Sequence, residues 1–187
     1  MACRFYLLLL VSFTLGAAAS SSSGTRGIEI DHAASTLENG VYLTDAHIVY
    51  HFSDETRKAL EHGVSLQIDI ELRVKKHRPL LWDKTIATTQ LNYMLEHHPL
   101  SGYYLVTNMA NGRRRQFQDL AGALDYLGTV REHPLVMREL LDSDGRYIAQ
   151  IRASLNIQAL PAPLRPLAYV STRWQLASPW HGWIIQQ

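Results

Sequence analysis

Asp69 and Glu71 stand two residues apart, with Arg73 and Lys75 following at the same spacing, inside the run 64–75, VSLQIDIELRVK. Paired carboxylates have the chemistry for general acid and base work. In an extended chain both point the same way, about 7 Å apart. Nothing in the local sequence desolvates either group, as acid and base work near neutral pH would require. The nine histidines offer metal ligation as a second chemistry. His47 and His51 stand four apart, the spacing of two ligands on a helix. They lie in strand-like sequence, however, where four residues span about 13 Å, too far for one zinc ion. A centre there needs cross-strand convergence, for instance of His47 or His51 with Asp45 and a distant partner. His97 and His98 are adjacent and face opposite ways in a strand. Asp142-Ser-Asp-Gly145 resembles the start of a calcium loop, but the remaining ligands do not follow. The chain has no G-x-S-x-G elbow, no S-x-x-K and no Gly-rich phosphate cradle. No catalytic, metal or cofactor residue is assigned on these grounds.

The elements that must carry these groups are mostly strands, because period two dominates the sequence. Ile28, Ile30 and His32 share one face of a first strand. From Val41 to Phe52 the apolar set changes from odd to even positions, which places a bulge near Thr44-Asp45. The run 64–75 is the cleanest strand, and its charged row reads as the wet side of a sheet. Leu91, Tyr93 and Leu95 line one side of a strand over 87–96. The segment 103–107 is apolar on both faces, as a central strand would be. Tyr147, Ala149, Ile151, Ala153, Leu155 and Ile157 form the inner row of a strand over 146–157. A last strand is expected over about 167–175, and Pro134 demotes 130–137 to an edge strand or an irregular piece. Asn-Gly and Asp-Gly pairs at 111–112 and 144–145 supply turns.

Two short helices interrupt. Ser53 caps the first, over 54–62, and Gly63 stops it. Phe117, Leu120, Ala121, Leu124 and Leu127 fall at helical spacing in the second, which ends at Gly128. The fold class expected is all-β with two short helices: an antiparallel β-sandwich, Ig-like or related.

Residues 1–19 are set apart from that fold. Arg4 precedes a charge-free apolar run, Phe5 to Ala19, that ends in small residues, the layout of a secretory signal peptide. At 15 residues the run is short for a membrane span, although an uncleaved anchor is the alternative. Residues 20–25 read as a flexible leader and 26–187 as one domain. The chain is therefore expected to be exported, either periplasmic or membrane-anchored. Of 18 Lys plus Arg against 17 Asp plus Glu, Arg4 leaves with the signal, so the mature net charge is close to zero. Nucleic acid is not an expected partner. The only cysteine, Cys3, leaves as well, so neither a disulfide nor a thiolate is expected in the domain.

Two basic clusters remain, Arg73 to Arg78 (RVKKHR) and Arg113-Arg114-Arg115. Either they keep strand ends soluble, or they form a weak patch for anionic lipid head groups or an acidic partner. Three of the four tryptophans, Trp174, Trp180 and Trp183, sit in the last 14 residues. They either plug one end of the sandwich or, with Arg165 and Arg173, form a binding surface.

Gly40-Val-Tyr-Leu43, the strand 64–75, Phe117-Gln-Asp-Leu-Ala-Gly-Ala-Leu124, and Leu164 to Ser171 with Trp174, Trp180 and Trp183 give the chain a likeness. It resembles the bacterial domain-of-unknown-function family numbered 4390, over about residues 26 to 185. The resemblance implies an exported protein of Gram-negative bacteria with no assigned activity, often encoded near a nitrogen-regulation-type membrane sensor kinase. The expected function is a non-enzymatic envelope domain that binds a protein partner, the exported part of such a kinase being the most concrete candidate. Its partner surface would include Arg113, Arg114, Arg115, Trp180 and Trp183. The alternatives are a small-ligand or lipid carrier with a cavity lined by Tyr103, Leu105 and Leu91, and, third, a metal- or carboxylate-dependent hydrolase using His47, His51, Asp69 and Glu71.

Overall fold

The structure is a computed structural model that describes residues 27–186, so the expected signal peptide (1–19) and the whole expected leader (20–25) lie outside the described residues. Among the described residues nine strands form two antiparallel sheets. One holds β1 (Gly27–Glu38), β2 (Val41–His51) and β7 (Thr129–Met137) in the order β1-β2-β7. The other holds β3 (Leu66–Lys76), β4 (Lys84–His98), β5 (Tyr103–Asn108), β6 (Arg114–Phe117), β8 (Tyr147–Leu155) and β9 (His181–Ile184), in the order β6-β5-β4-β3-β8-β9. Among the described residues no helix is long and apolar enough to cross a membrane.

The strand at the centre of the argument behaves as its pattern requires. Leu66, Ile68, Ile70, Leu72 and Val74 of β3 are completely buried, while Gln67, Asp69, Glu71, Arg73 and Lys75 face the other way. Tyr147, Ala149, Ile151, Ala153 and Leu155 of β8 extend the same inner layer. Ile28, Ile30 and Ala33 of β1 and Tyr42, Ala46, Ile48 and Tyr50 of β2 press onto it from the opposite sheet. The two facing layers make a β-sandwich with one contiguous core.

Several local expectations need correction. Pairing between β1 and β2 shifts register at Asp31, so Ala33 rather than His32 continues the inner row. In β2 the even positions point inward throughout, Tyr42 and Thr44 included, and no phase change occurs. The irregularity near Asp45 belongs to β7, where Arg131 and Glu132 oppose one residue. Glu132 takes φ 46° there and its backbone N–H donates to Asp45 Oδ1 at 3.0 Å. Strand β5 is not central but second from the edge. The expected strand over 167–175 is instead a helix, α3 (Arg165–Val170), with Pro166 in its first turn, and the closing strand is β9. With α1 (Asp54–Glu61) and α2 (Leu120–Gly128), that makes three α-helices among the described residues. Phe117 ends β6, and Asp119 caps α2 through its carboxylate and the Gly122 N–H.

Candidate functional site

Asp69 sits at the centre of a hydrogen-bonded cluster. Its carboxylate accepts amide hydrogens from Gln67 Nε2 (2.8 Å), Asn92 Nδ2 (2.7 Å) and Asn156 Nδ2 (2.8 Å), joining β3, β4 and the turn after β8. Farther along the row, Arg73 donates Nε–H to Gln150 Oε1 and lies 3.5 Å above the Trp180 ring. That guanidinium–indole stack covers part of the sheet's outer face, with the Arg152 guanidinium 5.9 Å from the same ring.

The histidines do not converge. His47 lies 3.5 Å from Asp31 and 3.9 Å from Asp125, both exposed carboxylates, while Asp45 is occupied by the Glu132 backbone. His51 is exposed four residues farther along the strand. Among the described residues no group of three or more His, Cys, Asp or Glu side chains is arranged to hold a metal ion.

The tryptophans divide between the two faces. Trp180 sits outside, under Arg73. Trp183 pairs with the buried Ala149 and sends its indole N–H to Ser35 Oγ at 3.0 Å, and Ser35 in turn meets the buried Thr44 hydroxyl at 3.1 Å. It therefore ties β9 to β1 and closes the sandwich. Trp174 is buried. The three arginines stay together: Arg113 ends the turn before β6, and Arg114 and Arg115 lie on β6, all exposed. Among the described residues no strand pairs with the outer edge of β6.

A feature the sequence does not display lies beside that edge. A cleft of about 590 Å³ opens between the sheets, where the three-stranded sheet stops short and α2 takes over. Its walls include Leu91 and Tyr93 from β4, Phe117 from β6 and Tyr126 from α2, with Arg115 at the β6 side and His133 at the β7 side. Phe117 and Tyr126 stack with centroids 5.4 Å apart, and the Arg115 guanidinium stands 5.2 Å from the Tyr126 ring. A smaller recess of about 240 Å³, framed by Asn111 and the three arginines, shares Asn108, Arg115 and Tyr126 with the cleft. The expected cavity residues Tyr103 and Leu105 belong to the sheet's outer face, opposite His98 and Glu96. Only Leu91 of that expected set lines the cleft.

The polar groups here are tuned by burial. Burial raises the Tyr93 hydroxyl above its ordinary pKa, Tyr126 adds to the rise, and a hydrogen bond from Asn108 opposes it. Burial, with a smaller contribution from Tyr93, raises Tyr50 far beyond the usual phenol range, and its hydroxyl has no hydrogen-bond partner. His133 Nε2 is likewise buried and unpartnered, and burial lowers the pKa of its imidazole. His133 lines the cleft, but its Nε2 is shielded from it and is left with an unmet hydrogen bond.

The lowered His133 pKa has a consequence for stability. Between the folded value and the ordinary value of about 6.5, the unfolded chain binds a proton that the folded chain resists. Stability should therefore fall as pH drops below about 6.5, and His133→Leu should flatten that part of the curve. Urea midpoints of both proteins across that range test this, and identical slopes would contradict it.

An antiparallel two-sheet sandwich with an arginine-lined edge and an aromatic cleft is the class that fold and site define. Over residues 25–184 the chain matches the family model described as "Domain of unknown function (DUF4390)", and it belongs to that family. No curated protein and no solved structure matches it.

Proposed function

We propose that this is an exported, non-catalytic envelope domain that binds an acidic segment of a protein partner along β6. The carrying observation is the continuity of three features: an unpaired sheet edge, three exposed arginines on or beside it, and the cleft that Arg115 borders. A segment added as a strand to β6 gains main-chain hydrogen bonds and sets alternate side chains toward opposite faces. Its acidic side chains meet Arg113, Arg114 and Arg115, and an apolar or aromatic side chain enters between Tyr126 and Leu91. The guanidinium forks suit carboxylates.

Export rests on the signal-peptide layout of residues 1–19, and the exported part of a membrane sensor kinase is the partner suggested by the family's gene neighbourhood. The test is calorimetric titration of the chain with that part of the kinase. The triple variant Arg113→Ala, Arg114→Ala and Arg115→Ala should bind roughly 10- to 100-fold more weakly, for about 1.4–2.7 kcal/mol lost. Wild-type affinity in the variant would refute the reading. The cleft favours a second reading, a carrier of a small amphipathic acid or lipid. Native mass spectrometry of envelope-purified chain separates the two, since a carrier shows a small adduct and a partner-binding domain shows a protein complex.

A further inference from the structure

The connection between β3 and β4 carries Leu80, Leu81 and Trp82, which are 96%, 66% and 91% exposed. Three consecutive large apolar side chains held in water cost hydration free energy and add nothing to the core. The register places them with other exposed apolar groups. His77 N–H bonds to Arg146 O at 2.8 Å, Ile184 pairs with Ile148, and Arg138 N–H bonds to Gly40 O at 2.8 Å. Tyr42 O–H, beside that Gly40 turn, donates to Gln186 O just past β9 at 3.2 Å, so the ends of β3, β7 and β9 gather at one end of the sandwich, where Met137, Leu140 and Ile184 are exposed as well.

Charge decides what this end meets. Over residues 75–84 the connection carries Lys75, Lys76, Arg78 and Lys84 against a single acid, Asp83, which pairs with His77 at 3.1 Å. Lys76 pairs with Asp142. On the neighbouring connection Glu139 and Asp144 are flanked by Arg138 and Arg146, two acids against two bases.

We propose that residues 80–82 dock this end of the sandwich onto an anionic lipid bilayer. Leucines enter the acyl boundary, the indole of Trp82 sits at the head-group level, and Lys75, Arg78 and Lys84 meet the phosphates. A protruding tip of largely exposed side chains fits a deformable bilayer, whereas a protein partner would need a matching concavity. The geometry leaves β6 free. Met94, which stands two strands from Arg114, is ten residues along β4 from Lys84, or about 33 Å from the tip.

The test uses the full chain with Cys3→Ser, so that one introduced cysteine carries an environment-sensitive fluorophore. It is placed by Trp82→Cys at the tip or by Leu100→Cys, on an exposed turn at the far end of β4. Any contact made by the N-terminal segment is common to both. With vesicles containing phosphatidylglycerol, the tip label should shift to the blue and brighten several-fold while the Leu100 label stays as in buffer. Lys75→Glu with Lys84→Glu should raise the lipid concentration needed by roughly tenfold or more. Equal behaviour of the two labels would overturn the proposal. So would a tip label that ignores vesicles but becomes shielded by a protein of the envelope, which would make the tip a protein-docking site.

Discussion

Gly128→Ala should lower the stability of the domain by about 3 kcal/mol or more, far beyond the usual effect of adding one methyl group. Gly128 ends α2 and leads directly into β7. Its backbone lies so close to β2 that a Cβ would stand 2.0 Å from Ile48 O and 3.1 Å from the Ile48 carbonyl carbon. Those are backbone atoms inside a paired strand, so no side-chain rotation relieves the overlap, and α2 must move off β2 or β2 must distort. The requirement is for space alone, because Gly128 does not occupy the left-handed region.

Gly122 in the same helix is the control. A Cβ there meets Asp119 Oδ1 at 3.2 Å and Phe117 Cδ1 at 3.6 Å, both side-chain atoms. Gly122→Ala should fall within about 1 kcal/mol of wild type, since the gain in helix propensity offsets the tight contact. Urea unfolding of the three proteins makes the comparison. A Gly128→Ala midpoint equal to that of Gly122→Ala would mean that α2 is not seated on β2, and the cleft framed by α2 would lose its wall.

The sheet was readable where burial acts on one face at a time. β3 shows this from Leu66 to Val74: the inner layer removes each even-numbered side chain there from water, so apolar and polar residues must alternate. The same logic applies to β8. It fails in β2, because apolar Val41 and Leu43 lie on the outer face, where Val41, Leu43, Pro134 and Leu140 border a shallow apolar groove, while polar Thr44 is buried inside. Thr44 is tolerated there because Ser35 on β1 supplies a hydroxyl partner, and that pairing depends on register between strands. Helix α3 is hidden in the sequence for a different reason. Pro166 is a helix-start signal when it falls in the first turn, yet in a proline-rich stretch it looks like a stiff connection.

The arginines at 113–115 stand out in the sequence because they are contiguous. The cleft does not, because its walls come from β4, β5, β6, α2 and β7, and no spacing within one segment links Tyr93 to Tyr126 or His133. Their convergence follows from how far the three-stranded sheet extends, which is a property of the assembled fold. The tryptophans show the same limit. Trp180 and Trp183 are three residues apart, and the strand between them sends one ring outside and the other against β1.

Asp69→Ala should destabilise the protein by about 3 kcal/mol, which makes this carboxylate the most consequential member of the outer row. Removing it strands the side-chain amides of Gln67, Asn92 and Asn156, all partly buried, at hydrogen-bond distances set by three different backbone segments. Hydrogen bonds to a charged acceptor contribute about 1.5–3 kcal/mol each in favourable cases, and partial exposure lets water recover part of the three. Asn156 also accepts from the backbone N–H groups of Gln158 and Ala159, so its reorientation would loosen the turn that leads from β8 toward α3. Asp69→Asn is the sharper comparison. It keeps the shape and one carbonyl acceptor but turns the other end into a donor facing donors, so it should recover less than half of the loss. Neither variant should weaken binding at Arg113–Arg115 beyond what partial unfolding explains, because Asp69 lies on the outer face and the cleft on the inner one. Midpoints in urea measure the first claim. Calorimetric titration with the kinase segment at a temperature where both variants are folded measures the second. Loss of binding in a folded Asp69→Asn protein would place the acidic row within the recognition surface after all.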